Sequence, residues 1–329
     1  MIRRELGRTG RQVNAIGLGC MGMSVAYGEP MAEDAAVRLL HEALDLGVDH
    51  FDTAELYGFG ANETLLGAAL HDRREKAFIA TKFGPVGNLA DRTVRGVDGS
   101  EANARRAIEQ SLRLLRTDYV DLYYLHRRDP ALPIEVTVEA MAKLVQEGKV
   151  RAIGLSEVNA DTLRRAQAVH PIAAVQWEYS IFTRDVEQEV LPLCEATGVT
   201  VVAYSPLGRG MLTGAFSREA RPAGNDWRAN LSPRFRGEAY EANLALVDEL
   251  AAVAAAKGVK PAQIALAWVL GRSRQVVTIP GTTRLENLKT NLAAADVTLS
   301  ADERGRLDAL AGKVKGERYD ENGMRLVNA

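Results

Sequence analysis

Residues 135–155 read EVTVEAMAKLVQEGKVRAIGL, in which a helical pattern over 135–147 is followed by a glycine and then by an apolar strand over 150–155. Gly148 stands where a helix ends and the chain turns back, and glycine adopts the left-handed backbone of such a cap without steric cost. The same succession of helix, glycine and strand recurs at Gly47 and Gly198. A chain that repeats this unit is predicted to form parallel strands connected by helices.

Eight apolar, β-rich runs occur along the chain. They are continuous apolar runs rather than strict alternations, which is typical of strands buried on both faces. Most of them start about one βα unit apart. Eight units predict an α/β protein with a (β/α)8 TIM barrel as a single domain over 1–329. An open doubly wound sheet is the structural alternative, and it would need fewer strands and a phosphate-binding glycine turn. The runs lie at 15–20, 48–52, 77–82, 120–126, 150–155, 172–176, 200–204 and 276–279.

Two segments fall outside the repeating unit. Residues 4–13, with Gly7 and Gly10 as turn residues, predict an N-terminal hairpin that plugs one end of the barrel. The interval after the seventh strand is long enough for two helices and a loop over 208–240, and long loops in compact domains are often functional. Further helices are predicted over 32–46, 159–169 and 185–197, and after an N-cap at Ser100.

Composition limits the function classes. The chain has 329 residues, of which 47% are hydrophobic, and a net charge of −2, which disfavours a nucleic-acid binder because such a protein needs a basic face. It has two cysteines, no apolar N-terminal stretch and no run long enough to span a membrane. We therefore expect a cytoplasmic protein without membrane association. The histidines show no metal-ligand spacing, so no metal site is predicted, and a monomer is favoured.

A tempting motif lies at the first strand. Residues 17–22, GLGCMG, match the G-x-G-x-x-G dinucleotide fingerprint. That fingerprint requires the turn to open a helix whose N-terminus faces the pyrophosphate. Gly28 and Pro30 interrupt any such helix here, so the Rossmann interpretation is rejected. We expect these glycines to let the backbone approach a ligand instead.

Reactive side chains accumulate where the predicted strands end. Asp52 and Tyr57 follow the second strand, Lys82 ends the third and His126 ends the fourth. In a barrel these ends share one rim, where active sites lie. A tyrosine phenol, with a pKa near ~10, is a weak acid at neutral pH, and an adjacent ammonium is expected to lower that pKa. Asp52 would keep Lys82 charged and His126 would hold a substrate oxygen, so the set is suited to protonate a carbonyl that receives a hydride.

These motifs resemble one known family. Residues 51–58, FDTAELYG, are similar to the aldo-keto reductase signature D-T-A-x-x-Y-G, and the later strand ends 80–82 (ATK), 125–126 (LH), 154–156 (GLS), 204–210 (YSPLGRG) and 279–283 (IPGTT) continue the match in order. Residues 19–22 (GCMG) and the tail from Arg318-Tyr319 to Met324 resemble the branch of broad-specificity bacterial, plant and fungal enzymes. The resemblance implies a catalytic tetrad of Asp52, Tyr57, Lys82 and His126, and reduction of aldehydes and ketones to alcohols with NADPH.

The resemblance also implies where NADPH and the substrate bind. Ser156 and Gln176 would hold the carboxamide, and Tyr204 would stack on the nicotinamide. The adenosine 2′-phosphate end would contact Gly281, Thr283, Arg284 and Asn287. Further cofactor contacts implied are Met21, Gly22, Ser205, Pro206, Leu207, Gly208, Gly210 and Asn291, and Trp227 joins Tyr57 and His126 at the substrate.

Two positions depart from the family pattern. Glu157 stands where Asn is usual, which affects one carboxamide contact, and Thr290 stands before Asn291 where Glu is common. Two other functions stay open at this point. One is a barrel lyase that uses Lys82 as a Schiff base, and the other is an NADPH-binding regulatory subunit with little turnover.

Overall fold

Eight parallel strands curl into a barrel in the computed structural model, which describes residues 1–88, 93–224 and 226–327. In chain order the strands are β1 (Arg3–Glu5), β2 (Gln12–Asn14), β3 (Leu18–Gly19), β4 (His50–Asp52), β5 (Phe78–Phe83), β6 (Pro85–Asn88), β7 (Thr93–Val97), β8 (Val120–Leu125), β9 (Val150–Ser156), β10 (Ala174–Glu178), β11 (Thr200–Tyr204) and β12 (Val276–Thr278). The barrel order is β3-β4-β5-β8-β9-β10-β11-β12. Parallel bridges from Ile16 to Thr278 and from Gly19 to Gly281 join the first strand region to the last. The predicted (β/α)8 fold is confirmed.

Helices connect the barrel strands. They are α1 (Glu33–Asp45), α2 (Ala61–Leu70), α3 (Glu101–Leu115), α4 (Ile134–Gln146), α5 (Ala160–Val169), α6 (Val190–Thr197), α7 (Trp227–Leu231), α8 (Gly237–Lys257), α9 (Pro261–Leu270), α10 (Leu285–Leu292), α11 (Ala301–Asp308) and α12 (Glu321–Met324). The Ser100 side chain caps α3 by accepting a hydrogen bond from the Asn103 amide, as predicted. Gly47, Gly148 and Gly198 have φ values of 86°, 76° and 75°, so all three glycines adopt the left-handed conformation expected of them. Among the described residues, no helix is both long enough and apolar enough to cross a bilayer.

Some predicted boundaries are wrong. The expected strand over 15–20 is reduced to β3, and the helix expected over 185–197 is a 3-10 turn over Asp185–Glu187 followed by α6. Pro192 explains this break, because proline has no N–H for an interior helical bond and is tolerated only in the first turn. The antiparallel hairpin β6–β7 was not predicted, since β7 is mostly exposed and carries no apolar pattern.

The N-terminal hairpin closes the barrel at the N-terminal ends of its strands. β1 and β2 pair antiparallel, and Leu6 and Val13 are fully buried against interior side chains such as Phe78 and Tyr124. The Gly7 amide donates to Thr200 Oγ1 at 2.7 Å. This confirms the expected plug and leaves the opposite rim as the open end.

A buried carboxyl group lies outside the barrel between α2 and β5. Glu63 is fully buried, and its Oε1 accepts a 2.6 Å hydrogen bond from Thr81 Oγ1. Burial raises the pKa of Glu63 to about 7, although the hydrogen bond from Thr81 opposes the shift. An acid whose pKa is raised in the folded state takes up a proton on folding, so its contribution to stability falls as pH rises from about 4.5 to about 7.

We predict that Glu63→Gln increases the free energy of unfolding above pH 7 by up to about 3 kcal/mol, the linkage value of the shift in the pKa of Glu63. At pH 4 the variant and wild type should be equally stable, because Glu63 is then protonated in both states. Urea titrations at pH 4, 6 and 8 measure this difference. A stability difference that does not change with pH would contradict the assignment.

Candidate active site

Three neighbouring strands and one turn bring the predicted catalytic side chains to the open rim. β4 ends at Asp52, and Lys82 lies near the end of β5, the next strand of the barrel. β8 follows, and His126 comes directly after it. Tyr57 lies in the turn segment between β4 and α2. Because parallel strands share one direction, residues separated by up to 74 positions of sequence meet at this end.

The Lys82 ammonium is the centre of the site. It is fully buried and donates a hydrogen bond to Asp52 Oδ1. It donates a second one, of 2.7 Å, to the Thr53 carbonyl oxygen, and it lies 3.4 Å from the Tyr57 hydroxyl. The other oxygen of Asp52 accepts a 2.8 Å hydrogen bond from Gln176 Nε2. Burial lowers the pKa of Lys82, and the adjacent Asp52 carboxylate opposes that shift. The three contacts match the three donors of an ammonium group.

His126 lies beside the tyrosine. The two rings are 5.8 Å apart between centroids and nearly perpendicular, and His126 Nδ1 is buried without a hydrogen-bond partner in the described structure. Burial, followed by the charges of Lys82 and Arg127, places the pKa of His126 well below its usual range. The imidazole is therefore neutral at physiological pH.

The electrostatic prediction for Tyr57 is wrong in sign. An ammonium was expected to lower the pKa of this phenol, but burial, reinforced by the Asp52 carboxylate, raises it well above 10. Burial of the hydroxyl explains the difference, because it disfavours the charged phenolate more than nearby positive charge favours it. The phenol is consequently protonated, which suits a proton donor and not a phenolate base.

A pocket of about 1090 Å³ opens above these residues. Its walls include nearly every predicted site residue: Asp52, Tyr57 and His126; Met21, Gly22, Ser156, Gln176, Tyr204, Ser205, Pro206, Leu207, Gly210, Gly281, Thr283, Arg284, Asn287 and Asn291; and Trp227. Lys82 lies beneath the floor and does not line it, and neither does Gly208. Trp177 is a core residue whose indole donates to the Val158 carbonyl oxygen at 3.1 Å.

The glycine motif at 17–22 has a packing role that was not expected. A side chain at Gly17 would bring its Cβ to 2.8 Å from the His50 carbonyl oxygen, and one at Gly19 to 2.7 Å from that of Ile279. Both glycines therefore allow neighbouring strand segments to approach closely. A 3-10 turn over Met21–Met23 follows, and α1 begins only at Glu33, so the rejection of a Rossmann turn holds. Gly19 and Gly22 line the pocket, so the expected approach of the backbone to a ligand stays a prediction for these two glycines, whereas Gly17 does not line it.

A second buried ion pair joins the C-terminal tail to the rim. Arg318 binds Glu157 through Nη1 and Nη2 at 3.0–3.2 Å, and both side chains are almost completely buried. Glu157 Oε1 also accepts hydrogen bonds from the Tyr204 hydroxyl at 2.8 Å and the Glu178 amide at 2.9 Å. Tyr204 and Tyr319 share a 2.8 Å hydrogen bond. Glu157 thus fixes Tyr204 and brings Tyr319 to the pocket wall.

Sequence reasoning missed several pocket residues. Tyr319 and Arg209 are among them, with the Arg209 guanidinium 4.3 Å from the Tyr319 ring centroid and 4.5 Å from that of Trp227. The one usable signal was Glu157 itself, because a carboxylate directly after a buried strand requires a cation. The sequence does not show which of 41 basic residues supplies it.

Comparison with known proteins gives a consistent result. The model of the aldo/keto reductase family matches residues 15–311. "Probable aldo-keto reductase 1" from Glycine max is 44% identical over 320 residues, which cover 96% of this chain and 91% of that protein.

Solved structures agree. The glycerol dehydrogenase AKR11B4 from Gluconobacter oxydans superposes with a TM-score of 0.86 and 31% identity, covering 97% of this chain and 98% of that one. An aldo-keto reductase from Klebsiella pneumoniae in complex with NADPH superposes with a TM-score of 0.75 and 30% sequence identity, covering 97% of this chain and 99% of that one. The fold and the site define a barrel oxidoreductase. The chain belongs to the aldo/keto reductase family.

We predict that Glu157→Gln lowers the free energy of unfolding by about 3 kcal/mol, because it removes the buried counter-charge of Arg318 and leaves the solvent-exposed Asp185 carboxylate, 3.6 Å from Arg318 Nε, as its ion-pair partner. Arg38→Gln is the control, since its pair with Asp34 is exposed to solvent and should contribute nothing measurable. Chemical denaturation at neutral pH measures both variants. Equal, negligible losses would show that the buried pair does not hold the tail.

Proposed function

We propose that this protein reduces aldehydes or ketones to alcohols with NADPH, and that Tyr57 donates the proton. The observation that carries the proposal is the position of the Lys82 ammonium. Asp52 binds this group, and its Nζ lies 3.4 Å from the Tyr57 hydroxyl, which is at the floor of a large pocket. Family membership supports an oxidoreductase, and the relative from Klebsiella pneumoniae binds NADPH.

Each catalytic side chain has a role that follows from its contacts. The raised pKa of Tyr57, due to burial, keeps the phenol protonated until a substrate oxygen develops negative charge beside it. Lys82, fixed by Asp52, then stabilises the phenolate that is left. The neutral imidazole of His126 orients the carbonyl oxygen next to Tyr57. NADPH, when bound, supplies a hydride to the carbonyl carbon.

The residues along the pocket fit an extended dinucleotide. Ser156 and Tyr204, which end β9 and β11, would hold the nicotinamide together with Gln176, which lies within β10. At the other end Arg284 is the N-cap residue of α10, where the helix dipole and a guanidinium both favour a phosphate. In the described part of the chain Arg284 has no carboxylate partner, so its charge is free for the 2′-phosphate.

The alternative functions receive less support. A Schiff-base mechanism needs a neutral amine with access to substrate, but Lys82 is fully buried and its three donors are occupied. A regulatory subunit with little turnover would not need the complete quartet. A cytoplasmic location is also part of the proposal, and it suits the two buried, unpaired cysteines.

Tyr57→Phe should lower kcat/KM by roughly 10²- to 10⁴-fold, because it removes the general acid and leaves the pocket shape intact. NADPH oxidation with 4-nitrobenzaldehyde measures this effect. Tyr240→Phe is the matched control, since the Tyr240 hydroxyl bonds the Ser217 carbonyl oxygen and the residue does not line the pocket. Equal rates for wild type and Tyr57→Phe would remove Tyr57 from its role.

Arg284→Ala should reduce the preference for NADPH over NADH roughly tenfold or more, because a charge-assisted contact to the 2′-phosphate is lost. Dissociation constants for both cofactors measure the preference. Lys289→Ala on the same helix is the control, as this lysine lies near Glu286 and does not line the pocket. An unchanged ratio in Arg284→Ala would refute the phosphate assignment.

A further inference from the structure

The arginines that line the pocket differ in how their charges are balanced. Arg209 forms an ion pair with Glu178 at 2.6 Å, and Arg228 donates to Asp226 at 2.9 Å. Arg127 and Arg284 form no ion pair with any carboxylate of residues 1–88, 93–224 and 226–327. Arg284 stands where the cofactor phosphate is proposed to bind. Arg127 is a second guanidinium without an ion pair in the described residues, although Tyr204, Tyr319 and Glu157 act on it electrostatically.

Arg127 is held in place by neutral acceptors. Its Nη1 donates to the His126 carbonyl oxygen at 2.8 Å and to Ser156 Oγ at 3.2 Å. Glu157 acts on Arg127 electrostatically, but both of its oxygens are bound by Arg318. A half-buried guanidinium whose hydrogen bonds go to neutral acceptors, the Tyr204 hydroxyl among them, and which forms no ion pair in the described residues is a binding position for an anion.

The position of Arg127 relates it to the substrate. It directly follows His126, and its charge contributes, after the larger effect of burial, to the low pKa of His126. A cofactor that runs from Ser156 at the end of β9 towards Arg284 beyond β12 extends away from β8. If the phosphates bind at Arg284, as proposed, they would lie away from Arg127, and Arg127 would be left for an anion on the substrate.

A side pocket of about 200 Å³ adjoins this guanidinium. The hairpin β6–β7, the turn after β4 and the C-terminal tail supply its apolar walls. It shares five residues with the main pocket: Leu56, Val94, His126, Arg127 and Tyr319. The apolar lining residues are Leu56, Pro85, Val94, Val97 and Leu326. The space accepts a ring or a short aliphatic group next to the carbonyl site.

We infer that Arg127 binds a carboxylate on the substrate, so that this protein selects carbonyl compounds that combine an anionic group with an aromatic or short aliphatic body. The inference rests on the proposed reductase function, because it names the substrate class of that same site. It assigns Arg127 a role in specificity and leaves the proton transfer to Tyr57.

The test compares two aldehydes of nearly the same shape. 3- and 4-carboxybenzaldehyde carry a carboxylate where 3- and 4-nitrobenzaldehyde carry a neutral nitro group. The measured quantity is the ratio of kcat/KM for the carboxylate over the nitro compound, in which general effects of a substitution on Tyr57 or His126 cancel. Arg127→Gln should lower this ratio 10- to 100-fold for at least one isomer, roughly the value of one charged hydrogen bond, and Arg127→Lys should restore part of it.

Arg128→Gln is the matched control. It removes the neighbouring guanidinium, which lines neither pocket, and should leave the ratio at its wild-type value. A ratio that is unchanged in Arg127→Gln, or that falls equally in Arg128→Gln, overturns the inference.

A binding measurement separates this inference from the reductase function. Calorimetric titration of benzoate into the protein needs no turnover, and Arg127→Gln should weaken binding about tenfold relative to Arg128→Gln. Weakened benzoate binding in a protein that reduces none of the four aldehydes would support the anion site and refute the reductase function. Equal benzoate affinities in both variants would refute the anion site even if the aldehydes are reduced.

Discussion

The buried Lys82 ammonium is the constraint on which the site depends. A charge without water is costly unless every donor is satisfied, and here Asp52, the Thr53 carbonyl oxygen and Tyr57 surround it. Gln176 in turn binds Asp52, so strands from opposite parts of the barrel are tied to one ion pair. The barrel rim therefore has one arrangement that satisfies all of these groups, and this arrangement places the Tyr57 hydroxyl at the pocket floor.

A second buried charge that requires a partner lies at the edge of the pocket. The Glu157–Arg318 pair is buried, and it recruits a tail segment that is 161 residues away in sequence. Where buried carboxylates and cations pair, they hold the structure in place and position the aromatic walls of the pocket. Arg127 and Arg284 form no ion pair within the described residues, and these are the two positions at which we propose that anions bind.

Sequence patterns predict the barrel and the catalytic quartet well, because strand periodicity and the shared direction of parallel strands determine where Asp52, Lys82 and His126 end up. They do not predict effects that depend on how deeply a group is buried or on which charged groups pair across the fold. The sign of the shift in the pKa of Tyr57 was missed because burial of the hydroxyl outweighs the effect of nearby positive charge. Arg318 was missed because a long-range partner leaves no local pattern, and the close strand approach at Gly19 is visible only once Ile279 is placed beside it.

The central claim is that Lys82 and Asp52 act through Tyr57. A double-mutant cycle tests it most directly, with the neutral pair Asp52→Asn/Lys82→Met as one change and Tyr57→Phe as the other, and kcat/KM for 4-nitrobenzaldehyde as the measured quantity. Replacing both charged groups together avoids leaving one of them buried and unpaired. The account predicts that the combined variant is no slower than Tyr57→Phe alone. Losses that multiply would contradict it, because they would mean that the ion pair serves the reaction independently of the tyrosine.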